Sequence, residues 1–278
     1  MQFFGRGKPS AGAFFDSDFT RLDQLLAMAL LYGLQGKNDC RVACVSCSRP
    51  DLTTVGFLDA VERYYHGPSR NFSQTPPVGM RTEGSAGSTP RAFQVTFENK
   101  VKSVIDTSDP STLFRNYLAA QNDGNAFFVL SGPAVNLAAA MRVRGVPELV
   151  KAKIRTLVVD GQVDPVLRDW PTPVVVAGPE VALPFPDWTP EDPADPVFAA
   201  WQAGRGDGVK STAVAAAFYA GRPKSELFTV SSGRLAIADR EGLLKAYAEL
   251  VSAKPVIRMR FRPDAVADAA ADKAAEKQ

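Results

Sequence analysis

Over residues 11–65 the apolar period switches three times, and this alternation limits the architectures open to the chain more than any other feature. AGAFF (11–15) is a short apolar run of strand length. Residues 23–35 then carry Leu26, Leu30 and Leu34 on one helical face. RVACVSC (41–47) is small and β-branched, as a strand covered on both faces would be. Across 54–65, Phe57, Leu58, Val61 and Tyr65 return to helical spacing. Strands separated by helices join a parallel sheet, so the expected class is α/β, with a mostly parallel central sheet and helices on both faces.

The same grammar continues downstream. HGPSRNFSQTPPVGMRTEGSAGSTPR is dense in Gly, Pro, Ser and Thr and reads as a long loop with one short strand at PPVGM. A helix over 111–121 leads to strand AFFVLS, a turn at Gly132 and a helix begun by Pro133, whose missing N–H costs nothing there. Strands follow at 155–159 and 174–177. LPFPDWTPEDPADP holds five prolines and excludes regular structure, and helices are expected at 196–203 and 211–220. PVIRMRFRP alternates like an edge strand, and DAVADAAADKAAEKQ is a solvated tail. With 278 residues and 45% apolar content, one core suffices: a single domain over 1–262 and a tail over 263–278.

Charge narrows the partners. Thirty-two basic against 30 acidic residues leave +2, which argues against nucleic acid and against an anionic membrane surface and points to small or neutral ligands. No apolar run reaches the roughly 18 residues of a membrane span. A cytoplasmic location is the default, with an exported form that has lost a signal peptide left open, as is a homo-oligomer. Cys40, Cys44 and Cys47 have the C-x3-C-x2-C spacing of radical enzymes that bind an iron–sulfur cluster. A strand there points Cys44 and Cys47 to opposite faces, so they read as buried small side chains. GRGKPSAG lacks the strand a phosphate loop needs and reads as a flexible terminus. His66, alone at a helix end, reads as structural.

The segment DSDFTRLDQ (16–24) lies at a strand-to-helix loop, where open parallel sheets bind ligands. Clustered carboxylates repel, and they are stable together mainly around a hard cation or a sugar's hydroxyls. A plainer role also exists, with Asp23 as a first-turn helix acid and Asp16 or Asp18 as a cap. A third arrangement puts a basic side chain, Arg21 or Lys210, among the acids where a cation would otherwise stand.

DSDFTRLDQLLAMALLYGLQ resembles the opening of the nucleoside hydrolase family: a strand, an Asp-x-Asp pair, a loop, a second aspartate pair and an Ala/Leu-rich helix. FFVLSGPAVNLAAAM is similar to that family's strand, Gly-Pro and Asn-Leu helix, and DWPTPVVVAGPEVALPFP to a segment of a bacterial branch. The resemblance implies the nucleoside hydrolase fold, hydrolysis of a ribonucleoside's N-glycosidic bond, and one Ca²⁺ held by aspartates that also binds the attacking water. By position it makes Asp18 a metal ligand and the general base, Asp16 a neighbouring ligand, Asp23 a ligand and ribose acceptor, and the Ser131 carbonyl a further ligand. Asn136, Asp160 and Trp188 are expected around the nucleoside or sugar.

The sequence departs from that pattern in ways that bear on catalysis. If Asp23 and Gln24 occupy the second acid pair, Gln24 offers the metal an amide oxygen without charge; if the register is one residue earlier, Leu22 and Asp23 stand there. GVKSTAVAAAFYAGRP brings Ser211 or Ala213, and no acid, to the place of the family's late aspartate. Asp160 stands where the family has an asparagine. Fewer charged ligands weaken Ca²⁺ affinity by orders of magnitude. The sequence therefore supports two outcomes: a nucleoside hydrolase with a weakened metal site, or a non-catalytic relative that binds a nucleoside or sugar or serves in assembly.

Overall fold

A computed structural model describes residues 10–66, 77–206 and 208–255. The elements are β1 (Ala11–Ser17), α1 (Leu22–Gly36), β2 (Cys40–Cys47), α2 (Leu52–His66), β3 (Gly79–Met80), α3 (Pro110–Ala119), β4 (Ala126–Ser131), α4 (Val135–Met141), α5 (Val146–Lys153), β5 (Ile154–Asp160), β6 (Val174–Ala177), α6 (Pro196–Gly204), α7 (Thr212–Gly221), β7 (Phe228–Ser231), β8 (Arg234–Ile237) and α8 (Arg240–Ser252). The strands form one eight-stranded sheet in the order β3-β2-β1-β4-β5-β6-β8-β7. Among the described strands only β7 and β8 pair antiparallel.

Strand alternation sorts the core into two layers. Phe14, Cys44, Phe128, Leu130, Leu157 and Val159 pack on one face with α3, α4 and α5. Phe15, Cys47, Phe127, Val129 and Val158 face the larger layer, which contains α1, α2, α6, α7 and α8. Cys44 thus lies opposite Cys47, as the strand reading of RVACVSC requires, and a register shift in β2 between Val42 and Cys44 puts Cys40 on the Cys47 side as well. Burial lifts the Cys40 and Cys47 thiols to about 12 and Cys44 well above its ordinary value, so thiolates for a cluster are costly here.

Helix α1 differs from its expected one-sided form. It is buried from Leu22 through Leu34 because α7 and α8 cover what would have been its solvent face. Gly33 permits this: a Cβ there would collide with the Leu250 carbonyl of α8. The expected loop over 16–21 begins later, since Asp16 and Ser17 still pair with β2 and β4. The chain also contains α5, the β7–β8 hairpin and α8, which the sequence reading leaves unassigned. The hairpin turns through Ser232 (φ 49°) and Gly233 (φ 74°), the paired left-handed conformation that suits a two-residue turn. Residues 256–262 of the expected edge strand, the tail, residues 1–9 and residues 67–76 of the long loop lie outside the described residues. Ala11 and Gly12, which close GRGKPSAG, belong to β1, and the loop carries the expected short strand at Gly79–Met80.

Sheet order positions the site. The chain runs outward from β1 through β2 to β3, and on β1's other side through β4, β5 and β6, so the direction of winding reverses between β1 and β4. A crevice forms beyond the carboxyl ends at such a reversal. Ser17 of β1 pairs there with Ser131 of β4 and Cys47 of β2.

Candidate functional site

At that reversal the acids occupy two levels. Asp16, fully buried, forms the floor: its Oδ1 accepts from the Ser46 hydroxyl of β2 and, at 2.8 Å, from the Asn136 amide of α4. Its Oδ2 meets no hydrogen-bond partner among the described residues. Burial pushes the Asp16 carboxyl up to about 7, with the bonds from Ser46 and Asn136 opposing the rise and Asp18 adding to it. Asn136 also reaches the Cys47 carbonyl at 3.4 Å, so it ties α4 to the floor.

The rim is built from Asp18, Asp23, Asp160 and Ser131. Gln24, 1% exposed, sends its Nε2 to Asp18 Oδ1 at 2.7 Å and to the Ser131 carbonyl at 2.8 Å. Its Oε1 accepts the Arg21 backbone N–H at 3.0 Å and caps α1. This orientation is fixed by its surroundings, because a flipped amide would aim oxygen at two acceptors. Of Leu22, Asp23 and Gln24, it is Gln24 whose side chain reaches both Asp18 and Ser131.

Arg21 spans the other half. Its Nε donates to Asp23 Oδ1 at 3.0 Å, and its Nη2 donates to Asp160 Oδ2 and, at 3.3 Å, to the Ser131 hydroxyl. Ser131 in turn donates to Asp160 at 2.6 Å. Burial alone would lower the Arg21 guanidinium's pKa, but Asp23 and Asp160 raise it above its ordinary value. Asp23 is raised by burial, with Arg21 pulling it down and Asp160 pushing it up. Its Oδ2 accepts from the Ala213 N–H at 3.0 Å and the Thr212 hydroxyl at 3.3 Å. The start of α7 carries no acid, and Asp23 caps that helix from across the site.

Two further features hold the loop. Gly132, at φ 144°, lies so close to β1's exit that a Cβ would stand 2.9 Å from the Asp18 nitrogen. Arg49, just past β2, donates from Nε to the Asp18 carbonyl at 2.6 Å and from Nη2 to Asp51 at 3.0 Å. Phe19 is held in the left-handed region (φ 48°), with its ring edge-on to Phe15 and Phe93. Sequence reasoning passed over Arg49 and Ser46. The signal available was SCSRPD, a second polar cluster at a strand's carboxyl end.

A cleft of about 490 Å³ opens beside the rim, lined by Arg21, Asp23, Pro179, Lys210 and Thr212 among others. Lys210 therefore faces the cleft while Arg21 takes the place among the acids. Trp188 lies elsewhere: it is 7% exposed, packs edge-on against Phe198 at 5.0 Å, and does not line this cleft.

Ca²⁺ takes six to eight oxygen ligands and tolerates no N–H aimed at its position. Here an amide nitrogen stands between Asp18 and the Ser131 carbonyl, and a guanidinium stands between Asp23 and Asp160. The donor set does not fit a calcium ion. Among the described residues no group of three or more His, Cys, Asp or Glu side chains converges on a metal position.

The eight-stranded, mostly parallel sheet with its carboxylate-lined crevice has the fold of solved nucleoside hydrolases. The chain superimposes on a plant nucleoside hydrolase, PpNRh1, with a TM-score of 0.61 at 16% identity, covering 88% of this chain and 100% of that one. An inosine-guanosine nucleoside hydrolase gives 0.61 at 15% identity, covering 86% and 98%. The type III effector XopQ, solved with adenosine diphosphate ribose, gives 0.60 at 12% identity, covering 89% and 95%. At these identities the likeness establishes the fold. The chain matches no protein-family model and no curated protein sequence. No helix among the described residues is long and apolar enough to cross a membrane.

Proposed function

We propose that this chain is a binding protein for a nucleoside or related ribosyl compound, built on the nucleoside hydrolase fold, and that it does not cleave the N-glycosidic bond. The observation that carries the reading is the partnership of Asp18. Its Oδ1 accepts from Gln24 Nε2, from the Thr20 hydroxyl at 3.1 Å and from the Thr20 N–H at 3.4 Å. With Oδ1 held by three donors, only Asp18 Oδ2 stays available to take a proton from an attacking water, and the Gln24 nitrogen stands where a cation that activates such a water would need oxygen ligands.

The cleft supports binding. Its volume lies within the range of small-molecule sites. Asp23 and Thr212 supply acceptors and a hydroxyl, and Lys210 and Arg21 bring positive charge. That combination suits a ribose joined to an anionic group, which is also the chemistry of the ligand named for XopQ. The hydrolytic reading keeps one observation in its favour: Asp18 is less buried than Asp16, Asp23 or Asp160.

Calorimetric titration with inosine, uridine, ribose and adenosine diphosphate ribose, with free base followed chromatographically, tests the proposal. Saturable heat from at least one ligand without release of base is the expected result. Base release that Asp18→Ala abolishes would establish the hydrolytic reading instead, and absence of heat from all four would contradict binding.

A further inference from the structure

We propose that the Gln24 amide is a built-in replacement for a divalent cation, and that Gln24 and Arg21 together make this site independent of metal. The Gln24 nitrogen occupies the point that such a cation would take. It lies 2.7 Å from a carboxylate oxygen in the loop after β1 and 2.8 Å from a backbone carbonyl at the end of β4, two acceptors converging on one point. Calcium–oxygen distances are about 2.3–2.6 Å, so a nitrogen at that point sits close to where a cation coordinating the same oxygens would be.

Two N–H bonds of one neutral amide thereby satisfy both acceptors. The second half of the site needs charge, because Asp23 and Asp160 are both buried, and the Arg21 guanidinium supplies it. Ser131 joins the halves: its carbonyl serves Gln24 while its hydroxyl serves Asp160 and Arg21. A cation entering this space would have to expel the Gln24 nitrogen and approach the guanidinium. Exclusion is therefore a property of two side chains, and the oxygens beneath them form a latent cation site.

Substitution separates these contributions. Gln24→Asp withdraws the nitrogen and leaves a shorter carboxylate beside the vacated point, and Arg21→Ala removes the competing charge. Calcium chloride alone is titrated calorimetrically into the full chain, the Gln24→Asp variant, the Gln24→Asp/Arg21→Ala variant, and each variant carrying Asp18→Ala. Thermal melts with calcium and with a chelator give a second readout and report whether each variant is folded. No heat and no melting shift is expected for the unsubstituted chain at millimolar calcium, with binding gained in Gln24→Asp, tighter in the double variant, and lost with Asp18→Ala.

Calcium binding by the unsubstituted chain that Asp18→Ala removes would overturn the inference. Failure of both folded variants to gain binding would overturn it as well, by showing that the two side chains are not what keeps the cation out. Should a variant lose its cooperative melt, the result for the unsubstituted chain still decides. These titrations contain no nucleoside, so the inference can fail while the binding function stands, and the reverse.

Discussion

The floor and the rim of the site hold carboxylates of nearly equal burial in different ways. Asp16 on the floor and Asp23 on the rim are 0% and 2% exposed. Among the described residues Asp16 has only neutral donors and one oxygen without a partner, and its carboxyl is pushed to about 7. Asp23 has both oxygens engaged, one by a guanidinium and one by the start of a helix. Burial alone does not fix the state of an acid. The donors that reach it decide whether it titrates near neutrality or is held as a charged partner.

The largest expected effect breaks the floor's side of this contrast. Because Asp16 binds its proton more tightly folded than unfolded, the folded state carries the extra proton between about pH 4 and pH 7, and stability falls as pH rises through that window. Three pH units correspond to about 4 kcal/mol as an upper bound. Asp16→Asn should reduce, without abolishing, the fall of unfolding free energy with pH over that window, because burial also raises Glu62 to about 8 and Asp195 to about 7; urea melts at a series of pH values measure it. An unchanged slope would mean that the floor acid is not the titrating group.

On the rim, Arg21→Ala leaves Asp23 and Asp160 facing one another without the guanidinium, and a loss of about 3 kcal/mol is expected. Arg21→Lys should recover only part of that loss, since one ammonium cannot reproduce the fork that meets Asp23, Asp160 and Ser131. A smaller cost, about 2 kcal/mol, is expected for Gln24→Ala, which strands two acceptors and the Arg21 N–H without placing a charge in the gap. Equal costs for the Arg21 and Gln24 substitutions would erase the distinction between a charged and a neutral solution on the rim.

Much of this was legible in the sequence because its signals are local. The α/β alternation gives β1, β2, β4, β5 and β6 and places DSDFTRLDQ at a carboxyl end. Strand register then aligns Asp16, Ser131 and Asp160 at the carboxyl ends, and the loop after β1 and the starts of α1 and α4 bring Asp18, Asp23 and Asn136 to them. The direction in which a side chain points was not legible. Gln24 in the sequence offers an oxygen and a nitrogen equally; only the fold brings the Arg21 N–H to one and two acceptors to the other. Arg21 was one of two named cations, and the choice over Lys210 depends on the path of the loop before α7. Helix α8 shows Leu243, Tyr247, Leu250 and Val251 at helical spacing, a pattern present in the sequence and left unassigned. Trp188 is held in the core by Phe198, a contact that its proline-rich surroundings do not announce.

The central claim is that the chain neutralises its own acids, and a crystal structure grown in calcium-containing solution tests it most directly. The account predicts the Gln24 nitrogen between Asp18 and the Ser131 carbonyl, and Arg21 between Asp23 and Asp160, with no cation among them. A calcium ion about 2.3–2.6 Å from Asp18 and the Ser131 carbonyl, with Gln24 turned away, would contradict it.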